Sequence, residues 1–124
     1  MNKNFNTHKH VLNSLRVFIF EIAGLAISPT FILLTFLGNM LIVGFSSIFY
    51  LLEFEKNPKI HGFLDALWWG FATATTTGYG DITPVTNQGK VLGILLMLSG
   101  TALFAMFTAL FAEAIITGVK QKKP

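Results

Sequence analysis

Residues 75–81 read Thr-Thr-Thr-Gly-Tyr-Gly-Asp. Gly78 and Gly80 alternate with Thr77 and Tyr79. Glycine has no Cβ and enters left-handed torsions at little cost. Alternating such residues with ordinary ones lets successive carbonyls point to one side. The result is a stack of oxygens rather than a strand with alternating faces. Thr76 adds its hydroxyl beneath that stack. Hard cations want several oxygens in place of their water shell. One chain offers one oxygen per layer, so a ring needs several chains, and closed cyclic symmetry supplies them. No nucleophile–base pair, phosphate-binding loop or metal-ligand cluster is visible elsewhere, so no enzyme is expected.

The elements that must hold this loop are apolar. Of 124 residues, 52% are hydrophobic and 12% charged, about half the charged share of a soluble domain. A soluble domain this apolar would expose large sticky patches, so the membrane is the natural solvent. There is no cysteine, which removes disulfides and thiolate sites. A net charge of +3 is far below a nucleic-acid footprint. Arg16 is the only arginine, so an Arg-rich voltage-sensing helix is also excluded.

Residues 29–53 predict a membrane-spanning helix. Pro29 suits a first turn, and the 24 residues from Pro29 to Leu52 carry no charge. At 1.5 Å per residue they reach about 36 Å, enough for a hydrocarbon core of about 30 Å. The apolar segment from Phe63 cannot cross, since about 12 residues give about 18 Å. It predicts a re-entrant half-helix over 63–75, ended by Gly78, Gly80 and Pro84. A second span is predicted over 88–118. Residues 1–10 read as a polar tail and 11–27 as a helix lying at the membrane interface, its apolar run broken by Arg16 and Glu21. The 119–124 tail is basic. Two spans put both termini on one side. Lys3, Lys9, Arg16, Lys120, Lys122 and Lys123 in the tails place that side in the cytoplasm. No cleavable signal peptide is evident. The expected fold class is therefore an all-α membrane protein: two transmembrane helices, a re-entrant helix and an irregular loop over 76–81.

The run 76–81 resembles the selectivity filter of potassium channels, whose usual form is Thr-Val-Gly-Tyr-Gly. The assignment to potassium rests on this resemblance and not on spacing. It extends to Trp68-Trp69, Thr73-Ala74-Thr75 and Gly100, and covers roughly residues 29–118. The layout is similar to the two-span pore of prokaryotic potassium channels. That resemblance implies a fourfold homotetramer in lipid and K⁺ ions bound in the filter, with no other cofactor. It implies coordination by the carbonyls of Thr76, Thr77, Gly78 and Tyr79, with Gly80 at the outer mouth. Trp68 and Trp69 would form a cuff around Tyr79, and Asp81 would buttress the filter. Gly100 would be a gating hinge, against the plainer reading of close helix packing. Thr101, Phe104, Thr108 and Ala112 would line a cavity; the last three recur every four residues on one helical face.

Two departures from the pattern stand out. Thr77 replaces the common valine, and its hydroxyl needs a hydrogen bond behind the filter. Ala72 stands where some relatives carry a glutamate that pairs with the aspartate, so the buttress must differ. Glu113 fits either a cation-attracting mouth or an interfacial position. His8, His10 and His61 lack partners at metal-site spacing. The gating stimulus is not written in the sequence, and a cytoplasmic gating domain either has been removed or acts in trans. A prokaryotic plasma membrane is the expected location. A nonselective cation pore and a non-conducting membrane anchor are the competing functional readings.

Overall fold

The computed structural model describes the backbone of residues 3–120 and the side chains of residues 12–117. Regular structure among the described residues is entirely helical: α1 (Lys3–Ala26), α2 (Pro29–Glu53), α3 (Phe63–Ala74) and α4 (Asn87–Lys120). α2 and α4 are long and apolar enough to cross a membrane, and α3 is not. The all-α class with two spans and a short helix between them holds.

Two boundaries differ from expectation. The polar tail read over residues 1–10 is helical from Lys3. Polarity alone does not stop a helix, and no glycine or proline precedes Gly24. At the other end α4 continues past Gly118, because a single glycine weakens a helix without ending it. The rest of the basic tail, with Lys122 and Lys123, lies outside the described residues, as do Met1 and Asn2.

Residues 34–106 form one compact unit. Its core is Ile42 and Phe49 of α2, Ile60, Ala66, Trp69 and Ala74 around α3, and Leu96 of α4. Phe49 and Trp69 stack at 3.5 Å with their planes 10° apart. α2 and α3 approach closely at Gly70, where a Cβ would collide with the Ser46 hydroxyl. Small residues there let the two helices approach. The start of α3 is fixed by Asp65, whose carboxylate accepts the backbone N–H groups of His61 (2.7 Å) and Gly62 (3.1 Å). Gly62 is the N-cap, so its bond is the return arm of a capping box.

The second unit gathers the chain before residue 34 and after residue 106. The Ser28 hydroxyl caps α2 by accepting the Phe31 N–H at 3.3 Å. Pro29 takes the first helical position, as its missing N–H allows. Phe31 meets Phe107 and Phe111 edge-on, at 5.5 and 5.9 Å between ring centres.

Candidate functional site

The site grows out of the last turn of α3. A helix C-terminus leaves carbonyls without intrahelical donors, and here the following loop supplies them. Thr75 N–H donates to the Phe71 carbonyl (2.9 Å), Thr76 N–H to Thr73 (3.1 Å) and Gly78 N–H to Ala72 (3.0 Å). No peptide among the described residues is cis, and in a planar trans peptide the carbonyl points opposite to the N–H that follows it. With the N–H groups of Thr76 and Gly78 turned back onto α3, the carbonyls of Thr75 and Thr77 turn away from it.

The torsions continue this pattern. Thr76, Gly78 and Gly80 have φ of 60°, 56° and 76°. Every second residue is left-handed, so the peptide planes do not flip as they do along a strand. Gly78 and Gly80 were legible in the sequence as left-handed positions, and Thr76 was not. A β-branched residue at positive φ is a strong outlier, and such strain collects at functional sites.

The outer end of the loop is braced by aromatics. Trp68 stacks on Tyr79 at 5.1 Å, 8° from parallel, and its indole N–H donates to Asp81 at 2.8 Å. Asp81 also accepts the Ile82 N–H at 2.9 Å. Of the two tryptophans expected around Tyr79, Trp68 is the one that stacks on it within the chain. Trp69 turns to the other side of α3 and lies buried on Phe49. Adjacent helical residues point about 100° apart, so within one chain the two indoles face different neighbours. The indole N–H goes to Asp81 rather than to the Tyr79 hydroxyl.

The Trp68 hydrogen bond holds the Asp81 carboxyl below its ordinary value of 3.8. A depressed value means the bond stabilises the folded state above pH 3.8. That contribution is lost as pH falls through the lower, folded value. Acidifying the outer face from about pH 7 to about pH 5 should therefore leave this brace intact. Heat resistance of the assembled protein, followed against pH, should show an acid step below pH 3.8 that is smaller in Trp68→Phe. An equal step in the variant would remove Asp81 from the brace.

Behind the loop, Thr75 Oγ1 donates to the Phe71 carbonyl at 2.7 Å and lies 2.9 Å from Thr77 Oγ1. The partner that the Thr77 hydroxyl requires is thus Thr75.

A further residue was missed in the sequence. Glu53 read only as the polar end of α2, yet it is fully buried. One carboxylate oxygen accepts the Thr86 N–H (2.8 Å) and hydroxyl (2.5 Å), and the other accepts the Val85 N–H (2.8 Å) and Asn57 Nδ2 (3.2 Å). Asn57 Nδ2 also reaches the Thr83 carbonyl at 2.9 Å. Glu53 so fastens the segment leaving the loop to the end of α2, and caps the start of α4 where an anion is favoured. Its one sequence signal was an acid four residues before Asn57 at the close of an uncharged helix.

The end of α3, from which the loop starts, rests on α4. A Cβ at Gly100 would fall onto the Ala74 carbonyl oxygen and 2.7 Å from the Ala74 Cα. The helix runs through Gly100 unbroken. This gives the packing reading of Gly100 a direct cause. Thr101, Phe104, Thr108 and Ala112 are exposed on the single chain, and Thr101 Oγ1 donates to the Met97 carbonyl at 2.8 Å. Glu113 is exposed as well.

The sequence profile of a family described as ion channel matches residues 39–117. The chain belongs to this ion channel family. The match takes in all of α3, the loop and most of α2 and α4. Among curated proteins, the channel is 42% identical over 72 residues to a voltage-gated potassium channel of Aeropyrum pernix, covering 54% of this chain and 24% of that protein. It is 35% identical over 74 residues to a cyclic nucleotide-gated potassium channel of Rhizobium etli, covering 59% and 21%. The channel thus spans a quarter or less of the length of these relatives. Among solved structures, it superposes on a voltage-gated K⁺ channel pore module in a closed state in lipid membranes. There the TM-score is 0.58 at 33% identity, over 73% of this chain and 92% of that one. The fold of a channel pore domain is thereby shared.

Proposed function

We propose that the channel conducts K⁺ passively and selectively through a fourfold ring of the 76–80 loop. The observation that carries this reading is the alternation of left-handed torsions at Thr76, Gly78 and Gly80, with the Gly78 N–H anchored on α3. Carbonyls of Thr76, Thr77, Gly78 and Tyr79, with the Thr76 hydroxyl, replace the water around the ion. Gly80 faces the outer mouth. Four copies around one axis give each layer its full set of oxygens. Selectivity then follows from the number, field and spacing of those oxygens. The C-terminus of α3 adds partial negative charge toward the ion path. Similarity to proteins named as potassium channels supports the choice of K⁺.

The remaining roles follow from the same arrangement. Trp68, Tyr79 and Asp81 keep the outer filter from collapsing, and Trp69 ties α3 to α2. Thr101, Phe104, Thr108 and Ala112 line the water-filled approach below the filter. Gly100 seats the filter's lower end and is the point at which α4 bends when the gate moves. Both termini lie in the cytoplasm of a prokaryotic-type plasma membrane, and α1 rests at its inner interface. Exposed Leu12, Leu15, Phe18, Ile19 and Phe20 suit that boundary. Gating is supplied by a cytoplasmic domain, joined in the full-length protein or acting in trans.

Purified protein in liposomes tests this directly. K⁺ and Rb⁺ should carry flux down a gradient, and Na⁺ should not. A reversal potential indifferent to exchanging K⁺ for Na⁺ would make it a nonselective pore. Intact tetramers without flux would make it an anchor.

A further inference from the structure

Thr75 and Thr77 place two hydroxyls 2.9 Å apart behind the loop. A hydroxyl has one proton to give. Thr75 gives its proton to the Phe71 carbonyl at 2.7 Å. The direction of the second bond is therefore fixed: Thr77 donates and Thr75 accepts. The result is a directional relay, Thr77 O–H to Thr75 O–H to the Phe71 carbonyl. It ties a filter side chain to the last turn of α3. The same turn holds the filter backbone through the Gly78 N–H on Ala72. The outer end of the loop has the Trp68–Asp81 brace, and Ala72 offers no carboxylate behind the filter. The relay is what the inner half has instead.

We propose that this hydroxyl relay positions the inner K⁺-coordinating layers, with Thr77 as the positioning residue and Thr75 as the link. The inference rests on the K⁺-pore reading above. A planar peptide that carries the Thr77 carbonyl also carries the Gly78 N–H. That peptide is pinned through its N–H on one side, and the Thr77 side chain pins its Cα on the other. Holding both removes the rotation that would swing the carbonyl off the ion path. Preorganised ligands bind more tightly because less ordering remains to be done on binding.

The experiment is a double-mutant cycle on the purified tetramer, read as K⁺ affinity by titration calorimetry, with wild-type liposome flux measured in parallel. Valine fills the same space as threonine and is the usual residue of the motif at position 77, so Thr77→Val keeps the fold. Thr77→Val should weaken K⁺ binding by about tenfold, the scale of one hydrogen bond. Thr75→Val should do the same, and the double variant should lose no more than either alone. Thr77→Ser, which keeps the donor, should bind as wild type does. Wild-type affinity in Thr77→Val, losses that multiply in the double variant, or failure of Thr77→Ser to restore binding would each overturn the relay. These outcomes are distinct from failure of the pore reading, which would appear as absent K⁺-selective flux in the wild type.

Discussion

Gly78→Ala should abolish K⁺ flux in liposomes while leaving the tetramer assembled. The cause is torsional. Gly78 sits at φ 56°, and a Cβ there would meet nothing within 4 Å in its own chain. An L-residue in the left-handed region costs about 1–2 kcal/mol. Four copies in one ring bring that to about 4–8 kcal/mol per pore, which is about a thousandfold or more in the population of the conducting geometry. The loop has little room to absorb this, because Thr76 already holds φ 60° two residues earlier. Relaxing the substituted alanine to negative φ would break its N–H bond to Ala72 and turn the Thr77 carbonyl out of line. Two measurements decide it: cross-linking for assembly and tracer flux for conduction. Wild-type flux through an assembled Gly78→Ala tetramer would refute the assignment of residues 76–80 as a filter.

Local signals made much of this legible in advance. The length of an uncharged run decides whether a helix crosses a bilayer, so the two spans and the short α3 could be counted off the chain. Gly78 and Gly80 announce left-handed torsions because only glycine takes them without strain. Thr76 does not announce one. Its φ of 60° lies in a loop tied back onto α3 through the N–H groups of Thr76 and Gly78, and a threonine carries no local preference for such a torsion. The two tryptophans show a second limit. The resemblance puts both near Tyr79, and within the chain helical geometry gives them different neighbours, Tyr79 for Trp68 and Phe49 for Trp69. Gly100 shows a third. A lone glycine in a span reads equally as hinge or as contact, and the close approach to the Ala74 backbone is a requirement that no local signal shows. Glu53 was least legible of all, since its partners Val85 and Thr86 lie more than thirty residues away.

That carboxylate carries the last expectation: Glu53→Gln should destabilise the assembled protein nearly as much as Glu53→Ala. Charge removal looks conservative, but the donor count forbids it. Both oxygens of Glu53 accept from N–H or O–H groups: Thr86 N and Oγ1 on one, Val85 N and Asn57 Nδ2 on the other. A glutamine amide has one acceptor and one donor end. Turned toward Val85 and Asn57 its NH₂ faces two N–H donors; turned toward Thr86 it faces the N–H, and only the hydroxyl can rotate to accept. In either orientation at least one N–H bond is lost to a donor–donor repulsion and the bonds that remain lose their charged acceptor, inside a site from which water is excluded. Hydrogen bonds to a charged acceptor contribute about 1.5–3 kcal/mol each, so a loss of about 3–5 kcal/mol per chain is expected for either variant. Glu53→Asp is one methylene short and cannot reach both Val85 and Thr86 from the end of α2. The 83–86 segment should come free first, before α2 or α3 unfolds. Heat-induced dissociation of the tetramer reads the stability, and limited proteolysis near Thr86 reads the release. A Glu53→Gln protein with wild-type heat resistance and no new cleavage there would mean that the end of α2 does not fasten the outer mouth.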